Sequence, residues 1–179
     1  GRRVLHVDTL LPYEILRPLF RYVSWDGLEI RNVASLRTLE ALWNAQPKEI
    51  AQKNAISVVD TSGSMYMSSN SLKPALISQA MGLYCAQRCT GTFHNMLITF
   101  ETRPHLVELK GDTVVDQLRY LGTLPWSGCT DLEAVFDLIL QTALDTHCPQ
   151  SELPEVLYVF SDMEFDQAVR DPNETVYEN

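Results

Sequence analysis

The chain has 179 residues, a formal net charge of −9 and a sequence pI of about 4.8, with 45% hydrophobic and 21% charged residues. That length fits one domain, or one domain with an appendage, and the balance of residues can fill a core. An acidic surface repels phosphate backbones, which argues against direct nucleic-acid binding, and no apolar run approaches the roughly 18 residues a membrane span needs.

The chain opens Gly1-Arg2-Arg3, without a methionine, and so reads as a fragment, and no charged-then-apolar leader opens it. Its four cysteines are Cys85, Cys89, Cys129 and Cys148. Cys85 and Cys89 stand four apart in an apolar helical stretch, and no second pair has zinc-ribbon spacing, so reduced, buried thiols are expected.

In chain order, residues 1–52 read as a helical lead-in. Leu10 to Leu16, and Leu36, Leu39, Leu42 and Trp43, have helix-like spacing, with a turn expected near Trp25-Asp26-Gly27. A different pattern begins at residue 53. The run Ala55-Ile56-Ser57-Val58-Val59 ends in Asp60 and predicts a strand buried on both faces. Helical spacing follows from Leu72 to Tyr84, with Pro74 tolerated in the first turn. Met96–Phe100 predicts a second strand, and His105–Leu109 is close enough behind it to pair antiparallel. Gly111-Asp112 is expected to open a helix carrying Val114, Val115, Leu118 and Leu121.

The strongest helical signal is Leu132, Val135, Phe136, Ile139, Leu140 and Ala143, spaced i, i+3, i+4, i+7, i+8, i+11. Glu155–Phe160 predicts the last strand, ending at Ser161-Asp162. Strands alternating with helices imply an α/β fold, a Rossmann-like three-layer sandwich on a mainly parallel sheet with one antiparallel edge strand.

In such sheets ligands bind outside the carboxyl ends of the strands. Asp60 and Asp162 each follow a core strand, and Thr130 lies in the loop heading the amphipathic helix. Asp60, Ser62 and Ser64 alternate along an extended turn, so their oxygens can converge on one point. Five oxygen donors, Asp60, Ser62, Ser64, Thr130 and Asp162, with no imidazole or thiol, suit a hard cation, Mg2+ or Mn2+. Two carboxylates at most balance a dication. If one acts through water, the ion keeps positive charge and a position open to an acidic group from a partner. Each residue has a plainer reading: Asp60 a turn initiator, Ser62 and Ser64 turn formers, Asp162 a cap, and Thr130 with Glu133 a capping box. None explains why all five fall on one rim. Asp131 and Glu164 are candidates for tuning the site from just outside it.

Asp60-Thr61-Ser62-Gly63-Ser64-Met65 has the Asp-x-Ser-x-Ser form of the metal-ion-dependent adhesion site, or MIDAS, of von Willebrand factor A-type domains. Gly128-Cys129-Thr130-Asp131 resembles that family's threonine loop, and Phe160-Ser161-Asp162 its final aspartate strand. Leu10–Glu14, Lys110–Thr113, Trp126–Asp131 and Val159–Asp166 more closely resemble the family called domain of unknown function 2828, which is similar to the A-type domain of Ro ribonucleoproteins. The resemblance implies an intracellular, cytoplasmic protein with a von Willebrand factor A-like domain over residues 53–179 behind the helical lead-in. Such a domain has about six strands where four are counted here, so the last αβ units are expected to be missing from the sequence.

The function expected is a metal-dependent protein-interaction module that takes an exposed Asp or Glu of a partner, without catalysis and without a membrane. Two alternatives stand beside it: a metal-dependent phosphohydrolase, or a scaffold subunit of a ribonucleoprotein-like assembly. Phosphoryl chemistry would want a base, a cationic clamp or a second metal, and the motif loops offer none; Arg103 is the nearest cation in sequence. His6, His94, His105 and His147 are scattered, and no Gly-x-Ser-x-Gly elbow or Gly-x-x-x-x-Gly-Lys loop appears.

Overall fold

A computed structural model describes residues 10–24, 27–30, 36–48, 54–60, 62–67, 73–124 and 131–162. The chain enters through a short helix, α1 (Pro12–Leu16), followed by a 3-10 turn over Arg17–Leu19. Strands β1 (Phe20–Ser24) and β2 (Gly27–Ile30) then pair antiparallel, with Ser24 opposite Gly27, and α2 (Leu36–Asn44) follows. The expected turn near Trp25-Asp26-Gly27 is therefore flanked by two paired strands, not by the two helices the leucine spacing predicts, and Trp25 and Asp26 themselves lie outside the described residues. The reason is local. Phe20, Tyr22 and Val23 favour extended backbone, and Asp-Gly is a hairpin signal.

The main sheet contains β3 (Ala55–Asp60), β4 (Met96–Phe100), β5 (Leu106–Glu108) and β6 (Val156–Phe160), in the order β5-β4-β3-β6. β3 runs parallel to β4 and to β6, and β5 is the antiparallel edge. This is the mainly parallel α/β sheet that the alternating pattern predicts. Three further helices complete it: α3 (Pro74–Arg88), α4 (Val114–Leu121) and α5 (Leu132–Asp145). The sequence starts the fourth helix at Gly111-Asp112; the structure starts it at Val114, where the Thr113 hydroxyl caps the Asp116 amide at 3.1 Å.

β3 is buried along its whole length, and its alternate residues face opposite ways. Val59 joins Leu83 of α3, Leu118 of α4, Leu16 of α1 and Trp43 of α2 in one cluster. Ile56 and Val58 join Leu132 and Val135 of α5 on the other face. The lead-in helices thus share the core of the sheet. α5 is less covered than its periodicity suggests: Leu132 and Val135 are buried, but Phe136, Leu140 and Leu144 are 39%, 57% and 70% exposed. Periodicity gives the width of an apolar face without saying how much of it is covered.

Cys85 and Cys89 are buried free thiols, as expected, and Cys148 is half-buried. Burial pushes Cys85 up to about 12 and also raises Cys89, so neither is a thiolate near neutral pH. Cys129 lies outside the described residues. No helix among them is long and apolar enough to cross a membrane.

α3 approaches β3 closely at Gly82, whose carbonyl accepts a hydrogen bond from Ser57 Oγ at 3.1 Å. A Cβ at Gly82 would stand 2.2 Å from Val59 Cγ2, a stiff, fully buried neighbour. Helix propensity alone favours Gly82→Ala by about 1 kcal/mol. Overpacking is expected to win, giving a net loss of about 1–3 kcal/mol in denaturant unfolding. A stabilised variant would show that the contact relaxes freely.

Candidate metal centre

The rim at the carboxyl ends of β3 and β6 follows from topology. From β3 the chain leaves through α3 to β4 on one side, and it returns through α5 to β6 on the other. The two helices pack on opposite faces, so a crevice opens above β3 and β6, where open α/β sheets bind ligands.

Asp60 ends β3 with none of its surface exposed. Its Oδ1 accepts the Ser62 backbone N–H at 2.8 Å. Its Oδ2 accepts a short hydrogen bond from the Ser161 hydroxyl. The second contact follows from register: Val59 is opposite Phe160, so the next residues of two parallel strands, Asp60 and Ser161, stand side by side on one face. The rim therefore brings the loop carrying Asp162 against Asp60 through a residue that the sequence does not single out.

Ser62 is buried, and its hydroxyl lies 3.0 Å from that of Ser64 in a 3-10 turn over Gly63–Tyr66. Octahedral bonds of about 2.1 Å separate neighbouring ligands by roughly 3.0 Å, so this pair already has the spacing of two adjacent Mg2+ ligands. A hydroxyl–hydroxyl hydrogen bond has similar length, and burial of the Asp60 charge is what separates the two readings. Among the described residues no Arg, Lys or His pairs with Asp60. A buried carboxylate held only by an amide and a hydroxyl still lacks a counter-charge. The residues present fit a hard cation on this count.

Two further groups lie under the site. Burial, and then the charge of Asp60, push the Tyr66 hydroxyl up to about 12, while the nearby Gln79 amide pulls the other way. Neither Tyr66 Oη nor either amide atom of Gln79 makes a well-formed hydrogen bond, so polar capacity remains unused beside Asp60. Ser78 of α3 donates to Phe160 O at 2.8 Å and fixes the end of β6. Sequence reasoning missed Ser161, Tyr66, Gln79 and Ser78. Only Ser161 left a signal, as a hydroxyl directly before Asp162.

Asp162 is exposed and lines a cavity of about 240 Å3 with Met65, Ile77, Val159 and Ser161. Asp131 caps α5, its Oδ1 accepting the Ala134 amide at 2.9 Å. The N-cap of α5 is thus Asp131. This commits an oxygen of Asp131 to the helix. Leu132 and Val135 pack with Val58 and Phe100, bringing the first turn of α5 to the face of the sheet that Asp60 occupies. Thr130 and Glu164 lie outside the described residues. Among those residues, no three His, Cys, Asp or Glu gather as metal ligands, so the donor set rests on hydroxyls.

The fold and this rim define an open α/β domain with Asp60, Ser62, Ser64 and Ser161 gathered at its switch point. The chain belongs to the family described as Domain of unknown function (DUF7788), which matches residues 54–179. It is similar to the uncharacterized protein L728 of Acanthamoeba polyphaga mimivirus, 31% identical over 171 residues. That match covers 93% of this chain and 27% of the viral protein, so the chain spans about a quarter of its relative's length. No solved structure matches the chain.

The unpaired charge sets a sign for one variant. With chelator present, Asp60→Asn keeps an acceptor for Ser62 N–H and removes a buried charge, so the thermal midpoint is expected to rise, by about 1–3 kcal/mol of stability. A lowered midpoint in chelator would mean that the protein itself neutralises Asp60.

Proposed function

We infer that this chain is an A-type binding module of the MIDAS kind. Asp60, Ser62 and Ser64, with Thr130 and Asp162, would hold Mg2+ or Mn2+, and the ion would take an Asp or Glu side chain from a partner protein. The observation that carries this reading is the buried Asp60 carboxylate, without a cation among the described residues, beside two hydroxyls at ligand spacing. An ion there supplies a Lewis-acidic point of positive charge. The chain's own part is to set that charge. Ser161 and Ser62 N–H occupy one lone pair on each Asp60 oxygen and draw off electron density, and the hydroxyl donors are neutral. The cation would stay under-neutralised and attractive to a carboxylate.

Support for binding over phosphoryl transfer comes from the lining beside Asp162. Among the described residues, those lining the cavity, such as Met65, Ile77, Ser78, Val159 and Ser161, include no Arg, Lys or His, the groups that clamp a transferring phosphoryl group. A likeness to A-type domains, and to the family called domain of unknown function 2828, and an intracellular setting are part of the same proposal.

Calorimetric titration with Mg2+ or Mn2+ is expected to show one site, abolished by Asp60→Ala and weakened by Ser64→Ala. Equal binding by the Asp60 variant would remove the assignment. Capture of a partner is expected to fail in chelator. Phosphate-ester turnover lost in Asp162→Ala would instead support an enzyme.

A further inference from the structure

α3 begins at the Asp60 rim and ends, fifteen residues on, at Arg88 on the opposite end of the sheet. There, in a chain of net charge −9, a cavity of about 660 Å3 is lined by Lys48, Gln87, Arg88, Cys89, Thr90, Gly91 and His94. None of these described residues is acidic. Its volume lies within the roughly 300–1,000 Å3 of small-molecule sites.

Arg88 is built in rather than draped over the surface. Its guanidinium lies 4.2 Å from the Tyr84 ring centroid and 5.3 Å from that of Trp43, and Nη2 donates to Trp43 O at 2.6 Å. Nε is buried and has no acceptor. Burial lowers the pKa of Arg88, and among the described residues no carboxylate offsets that cost. The ring contacts and one carbonyl offset part of it. Both Nη1 hydrogens and one on Nη2 are left over, a fork suited to an oxyanion met end-on.

The surroundings hold the other groups at the same mouth. The Tyr84 hydroxyl donates to Pro47 O and fixes the backbone just before Lys48. Trp43 Nε1 donates to Gln87 Oε1 and Gln87 Nε2 to Gln117 Oε1, each at 2.6 Å, which locks α2, α3 and α4 together. Gly91 has φ +91°, and a Cβ there would come within 2.6 Å of Asn54 Oδ1, so the loop closes tightly under the cavity. His94 Nδ1 lies 2.8 Å from Cys89 O. A carbonyl only accepts, so Nδ1 carries the hydrogen and Nε2 is left for another partner. Glu152, near this end of the sheet, is bound by Thr92 Oγ1 at 2.8 Å and does not line the cavity.

We propose that this cavity, with Arg88 and Lys48 as its cationic donors and His94 at its mouth, binds the phosphate group of a small phosphate ester. A carboxylate is the weaker fit, because two cations line the cavity where a monoanion needs one. A sugar phosphate would fill the remaining volume.

The test is calorimetry on residues 1–179 in chelator, so that the cation site plays no part. Inorganic phosphate and ribose 5-phosphate are each expected to bind saturably, the ester more tightly, and acetate to bind more weakly than either. Lys48 is exposed, so Lys48→Ala leaves folding intact and is expected to weaken phosphate binding roughly fivefold. Arg88→Met keeps the aliphatic stem and is expected to weaken it a hundredfold or more, by about 2.7 kcal/mol. No saturable heat with the unmutated chain would overturn the proposal, as would undiminished binding by Lys48→Ala or acetate binding as tightly as phosphate. A phosphoserine peptide that binds where the sugar phosphate does not would overturn the assignment to a small molecule.

Discussion

One hydrogen-bonded carboxylate organises the upper rim of this domain. Asp60 ends a strand buried on both faces, and its two oxygens are taken by the amide of Ser62 and the hydroxyl of Ser161. The first contact bends the chain into the 3-10 turn that places Ser62 and Ser64 together. The second ties the end of β6 to the end of β3. A charge so placed is expensive without a counter-charge, and that expense is the physical argument for a cation. Hydrophobic packing explains why β3 is central, but it does not explain why an acid sits at its end.

The sheet also separates charge along its length. The Asp60 rim meets the start of α3, whose partial positive end favours an acid, and Arg88 stands at the other end, where a cation is favoured. Each sits in its place through fixed contacts: strand register for Asp60, and the Trp43 and Tyr84 rings for Arg88. The two ends are thus poised for ligands of opposite sign.

Much of this was legible in the residues. Continuous apolar runs gave the three parallel strands of the main sheet, because a buried parallel strand needs no polar alternation. The antiparallel edge β5 was read from its closeness to β4. The spacing of Asp60, Ser62 and Ser64 gave their grouping, because one turn decides it. The hairpin at residues 20–30 was obscured by leucines on either side whose spacing suits helices. Ser161 was not visible as a partner of Asp60, since that contact depends on the register between strands about a hundred residues apart. Lys48 and Arg88 line one cavity only through the packing of α2 on α3. Thr130 and Glu164, which sequence placed in or near the site, fall outside the described residues, so the ligand set rests on sequence for Thr130.

Everything at the upper rim depends on whether a cation completes the Asp60 site. Crystals grown with saturating Mn2+ test this directly by anomalous scattering. The expected result is a single peak about 2.1 Å from both Ser62 Oγ and Ser64 Oγ, with one ligand position held by water or a neighbour's carboxylate. An ordered rim with no peak, and the two serine hydroxyls hydrogen-bonded to each other, would contradict it.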